Sequence, residues 1–118
     1  MRVHHLALQV TDLGVARDFY VGVLGFVVMR EQPHAIWIDA AGVIIMLERC
    51  AGPVVVDVWP SDRPGAHVVA FAIAAAERAT WLHRLEVAGV AIDHVSGFSV
   101  YFRDPFGARL ALSHYPEP

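Results

Sequence analysis

Hydrophobic and polar positions along this chain follow the same order twice. In Val3-His4-His5-Leu6-Ala7-Leu8-Gln9-Val10 they alternate with a period of two. Leu6, Leu8 and Val10 then share one face and His5, Ala7 and Gln9 the other, the pattern of a half-buried strand. Thr11-Asp12 offers a helix cap, and residues 13–24 carry Ala16, Phe19, Tyr20 and Val23 at helical spacing. This predicts one helix, stopped by Gly25. Residues 26–29, 35–38 and 43–47 read as strands, the last two joined through Asp39-Ala40-Ala41-Gly42. The second copy opens with a strand over 68–73. A helix over about 75–88 follows, with Ala75, Ala79, Leu82 and Leu85 on one stripe and Gly89 past its end. A short strand over 90–92 precedes a final pair, 99–102 and 109–112. That pair is linked by Asp104-Pro105-Phe106-Gly107, where proline fixes one torsion and glycine permits a positive one.

Between the copies, residues 51–64 change character. Pro53, Pro60 and Pro64 remove amide donors and break regular ladders, so the segment reads as a linker, with Val54-Val55-Val56 as a short edge strand within it. The expected organisation is one domain: module one over 1–50, a linker over 51–64 and module two over 65–118. Two copies, offset by more than a solenoid repeat, indicate a duplicated βαβββ module of the α+β class.

Composition narrows the partners. The chain is 56% hydrophobic and 18% charged, enough to bury a core and unlike a disordered segment. Its net charge of -3 argues against nucleic acid, which a basic stripe would serve. No run of ~18 apolar residues predicts a membrane span, and the N-terminal run lacks the apolar stretch of a signal peptide. A cytoplasmic location is expected. The single cysteine, Cys50, excludes an internal disulfide framework and reads as a strand-end residue.

Three segments carry a family resemblance: His5-Leu6-Ala7-Leu8-Gln9-Val10-Thr11-Asp12, Asp18-Phe19-Tyr20 with Leu24-Gly25-Phe26, and Tyr101-Phe102-Arg103-Asp104-Pro105-Phe106-Gly107. In this order they resemble the vicinal oxygen chelate superfamily, which includes glyoxalase I, bleomycin-resistance proteins, fosfomycin-resistance enzymes and extradiol dioxygenases. The resemblance implies two βαβββ modules whose strands form a curled, cup-shaped mixed sheet with helices outside. Many members hold a divalent metal at four cup-facing positions, on the first and last strand of each module. Carried over, those positions are His5, Met46, Val68 and Ala111. Only His5 suits Zn, Ni, Mn or Fe; the Met46 thioether suits Cu(I), and the other two have no donor atom. No cofactor is therefore expected. The alternative is a metal-dependent lyase, isomerase or dioxygenase with an atypical ligand set.

The resemblance and the strand alternation together nominate a ligand-binding set. It comprises His5, Gln9, Trp37, Met46 and Glu48 from module one and Tyr101, Arg103 and Arg109 from module two. Ala7, Ala70, Ala72 and Ala111 on the same faces leave room for a flat, possibly aromatic, organic molecule. Glu48 is the candidate general base should catalysis proceed without a metal. Each residue also has a plainer role: His5 as an ordinary strand histidine, Trp37 and Tyr101 as filling, Arg103 and Asp104 as turn-ordering groups. No phosphate-binding glycine loop, His-Glu-x-x-His or serine elbow occurs. The implied function is metal-independent small-molecule binding, as in antibiotic-sequestering members, by a homodimer.

Overall fold

The computed structural model describes residues 1–60 and 62–118; Ser61 of the expected linker lies outside the described residues. The chain divides into two compact units, Met1–Val54 and Val55–Pro118.

In the first unit, strands β1 (Leu6–Val10), β2 (Val27–Gln32), β3 (Ala35–Asp39) and β4 (Ile44–Arg49) form one sheet in the order β1-β4-β3-β2. β1 runs parallel to β4, and the other pairs are antiparallel. The register aligns Leu6, Ile45 and Ile38 in one row and Leu8, Leu47 and Ile36 in the next. Ile36, Ile38, Ile45 and Leu47 are buried together with Ala16, Phe19 and Tyr20 from the helical segment. Each large apolar side chain so covered contributes roughly 1.5–3 kcal/mol.

The helical segment departs from expectation. α1 spans only Leu13–Arg17, capped by the Asp12 carboxylate accepting from the Val15 amide at 2.9 Å. It continues as a π-helical turn over Asp18–Val23, where the Leu24 amide reaches back five residues to the Phe19 carbonyl. The wider turn lets consecutive aromatic residues, Phe19 and Tyr20, both face inward. Phe26 is still bonded to this turn, through its amide to the Tyr20 carbonyl, so β2 begins at Val27 and runs to Gln32, later than the pattern predicted.

The second unit repeats the plan. Strands β5 (Val69–Ala72), β6 (Ile92–Val95), β7 (Ser99–Arg103) and β8 (Arg109–Ser113) pair in the order β5-β8-β7-β6, with β5 and β8 parallel. Val69, Leu110 and Phe102 share one row and Phe71, Leu112 and Val100 the next. The expected helix begins as a 3₁₀ turn (Ala75–Glu77), and α2 covers Arg78–Val87. That tighter turn shifts the helical phase, so Ala79, expected on the buried stripe, is exposed while Leu85 is fully covered. Arg78 turns inward, bonding His114 Nε2 at 2.9 Å and the Ser96 carbonyl at 2.7 Å. The strand expected at 90–92 forms later, at Ile92–Val95. Val54-Val55-Val56 forms no strand: these residues are exposed, and no sheet edge pairs with them.

Candidate functional site

Each sheet has one face packed under its helix and one polar-lined face. In the first unit the polar-lined face carries the rows Ala7–Met46–Trp37 and Gln9–Glu48–Ala35. Trp37 therefore shares the face of Met46, which fixes a strand phase the sequence left open. The His5 ring lies 4.9 Å from Trp37, edge to face, and its Nδ1 is 2.8 Å from His4 Nδ1. The Trp37 indole N–H donates to Gln32 Oε1 at 2.9 Å. A hollow of about 170 Å³ opens nearby at Arg2, Val3, His4 and residues 42–44, away from Glu48 and Gln9.

In the second unit the corresponding face carries Ala70–Ala111–Tyr101, Ala72–Ser113–Ser99 and the facing pair Arg103–Arg109. Ser99 Oγ donates to Ser113 Oγ at 2.8 Å. A bulge between Ile92 and His94 puts His94 opposite Tyr101. The extra residue, Asp93, takes the Arg103 Nε–H.

Residues 55–60, ahead of β5, cross this face as a strap. The Trp59 ring stacks on His94 at 4.8 Å and 16°, and lies 4.5 Å from Tyr101 and 5.6 Å from His67. The Arg109 guanidinium sits 5.0 Å from the Trp59 ring centre, a cation–π distance. Arg103 donates to the Asp57 carbonyl at 2.6 Å and the Gly107 carbonyl at 2.9 Å. Arg109 donates to the Val58 carbonyl at 3.2 Å and to His67 Nδ1 at 2.7 Å. Arginine has no acceptor, so the His67 lone pair must be on Nδ1. At Gly107 (φ +90°) an added Cβ would stand 2.7 Å from the Val55 carbonyl oxygen, so strap and turn fit only around glycine.

The nominated residues thus fall into two groups, each on its own unit. Trp59, His67, His94 and Ser113 join this face from outside the set expected from the sequence. Trp59 was hidden by its proline-bounded setting. His67 precedes β5, so the strand alternation that would turn it away from the face does not yet apply. His94 depends on the bulge, which shifts alternation by one residue. Ser113 continues the Ala111 alternation and was legible. Asp104 is buried, and its Oδ1 accepts the Phe106 and Ala108 amides, both at 2.8 Å.

The resemblance carries the metal-ligand positions to four residues. His5 and Met46 come from the first unit, Val68 and Ala111 from the second, and only one imidazole is among them. Among the described residues, no three His, Cys, Asp or Glu side chains gather as an ion would require.

The chain belongs to the glyoxalase/bleomycin resistance protein/dioxygenase superfamily, whose family model matches residues 2–112. Solved structures of similar fold include a glyoxalase/dioxygenase from Nostoc punctiforme. It is 25% identical, with a TM-score of 0.81, and the match covers 98% of this chain and 92% of that one. A lactoylglutathione lyase from Agrobacterium tumefaciens is 22% identical, with a TM-score of 0.75, over 97% of this chain and 93% of that one. The fosfomycin resistance protein FosX from Listeria monocytogenes, complexed with Mn(II) and sulfate, is 20% identical, with a TM-score of 0.76, over 96% and 89%. No curated protein matches the chain. Among the described residues, no helix is long and apolar enough to cross a membrane.

Proposed function

We propose that this member of the superfamily binds a small, flat organic molecule without a metal, in the manner of antibiotic-sequestering relatives. The observation that carries the reading is the donor set: the four positions that hold metal in metalloenzymes of this fold are His5, Met46, Val68 and Ala111. One imidazole does not compete with water for a divalent ion. Aromatic and small side chains on the polar-lined faces supply stacking surface and room instead. FosX holds Mn(II) in its solved complex, so a metal-dependent activity is the alternative. It would need ligands beyond the four positions.

The test is a panel of flat aromatic compounds titrated against protein stripped by a chelator, followed by tryptophan fluorescence and calorimetry. Binding is expected to be equal with and without added Mn(II), Zn(II) or Ni(II), and the compounds are expected to be recovered unchanged. A stoichiometric metal that co-purifies and is lost in His5→Ala would overturn the reading.

We further propose a homodimer. Val54, Val55, Val56 and Val58 are all exposed, an apolar run that a second copy would cover. Sedimentation equilibrium should give twice the chain mass, and a monomer at micromolar concentration would remove this part.

A further inference from the structure

Among the described residues, Arg109 is a buried cation without a counter-charge. It is 7% exposed, and its Nε has no hydrogen-bond partner among the described residues. It takes part in no ion pair among those residues, whereas its neighbour Arg103 pairs with Asp93. Its partner across the strands is another arginine, Arg103. A buried charge is costly unless it is paired, and here only neutral acceptors and a ring face meet it.

What lies against Arg109 is the strap. It presents one flat ring, Trp59, to Tyr101, His94 and His67, and two carbonyl oxygens, of Asp57 and Val58, to the two arginines. The Val58 carbonyl takes only the Nη2 of Arg109, at 3.2 Å, and leaves Nε empty. Nε and Nη2 form one edge of the guanidinium, the edge that grips a carboxylate with two parallel hydrogen bonds.

We infer that this face of the second unit is a binding site for flat aromatic oxyanions, and that Trp59 with the Val58 carbonyl is its built-in, displaceable occupant. The inference rests on the small-molecule-binding reading above and adds the ligand's charge and its location. An aromatic carboxylate would place its ring over Tyr101 and His94, where the indole lies. Its two oxygens would take the Nε and Nη2 of Arg109. It supplies the ring and the oxygen acceptors that the strap supplies, and also the negative charge that the strap lacks.

The full chain is titrated calorimetrically with 2-naphthoate and its neutral isostere 2-naphthamide. Wild type is expected to prefer naphthoate by about tenfold, the scale of a charge-assisted pair of hydrogen bonds. Trp59→Ala removes the internal competitor and is expected to bind naphthoate about tenfold more tightly, as when a closed state holds nine-tenths of the molecules. Arg109→Gln should bind both compounds alike. Arg109→Lys, which keeps the charge without the Nε edge, should lose most of the preference and serves if the glutamine variant misfolds. Equal binding of the two compounds to wild type and Trp59→Ala would overturn the oxyanion assignment while leaving small-molecule binding intact. Naphthoate affinity unchanged or weaker in Trp59→Ala would overturn the occupant role. Failure of both proteins to bind naphthoate would overturn the site itself, whereas the broader reading is decided separately by the compound panel.

Discussion

Asp93→Asn is expected to lower the unfolding free energy by about 3 kcal/mol, the scale for breaking one side of a buried ion pair. The Arg103 side chain is 12% exposed and that of Asp93 23%, so water offers little replacement for the lost carboxylate. The register adds to the cost, because Arg103 faces Arg109 directly. With Asp93 neutral, two covered guanidinium groups would stand opposite each other with the Arg103 ion pair gone. Adding Arg109→Met to Asp93→Asn should therefore restore about 1 kcal/mol, a coupling of the size seen between contacting residues. Urea unfolding of the single and double variants measures both quantities. A change of no more than about 0.5 kcal/mol in Asp93→Asn would mean that the pair behaves as an exposed one.

Gly107→Val is expected to cost about 2 kcal/mol and to detach the strap. A φ of +90° strains any residue with a Cβ, and a β-branched one most. The new Cβ would also stand 2.7 Å from the Val55 carbonyl oxygen. The β7–β8 turn is fixed by Asp104, so the strap is the part able to retreat, and Trp59 should then leave its bed of His94 and Tyr101. A red-shifted, more accessible tryptophan emission, absent when the change is made in a Trp59→Phe background, is the expected readout. An unshifted emission with normal stability would show that strap and turn do not depend on each other.

Much of this fold was legible because duplication and alternation reinforce each other. Leu6, Leu8 and Val10 had to share a face, and the parallel register with Ile45, Leu47 and Arg49 keeps them there. Deviations came where local geometry breaks periodicity. The π turn at Phe19-Tyr20, the 3₁₀ turn before α2 and the bulge at Asp93 each shift the phase without a strong compositional mark. The candidate site was half legible. Arg103 and Arg109 follow from counting along β7 and β8, and Gly107 from turn chemistry. Trp59 was not legible, because prolines and valines around it read as linker and only the folded chain brings it to Tyr101. Strand counting places Arg103 with the ligand-facing residues, and its guanidinium also bonds Asp93, the Asp57 carbonyl and the Gly107 carbonyl.

A rival fastened to the same chain cannot be diluted away. On the occupant reading, the indole of Trp59 meets its bed at a local concentration in the millimolar range, as short tethers impose. Faint visitors would be turned back at every encounter, and only a molecule bringing the missing negative charge would gain entry. Once that molecule departed, the tether would close the vacancy, so the protein would set its own threshold for what it retains.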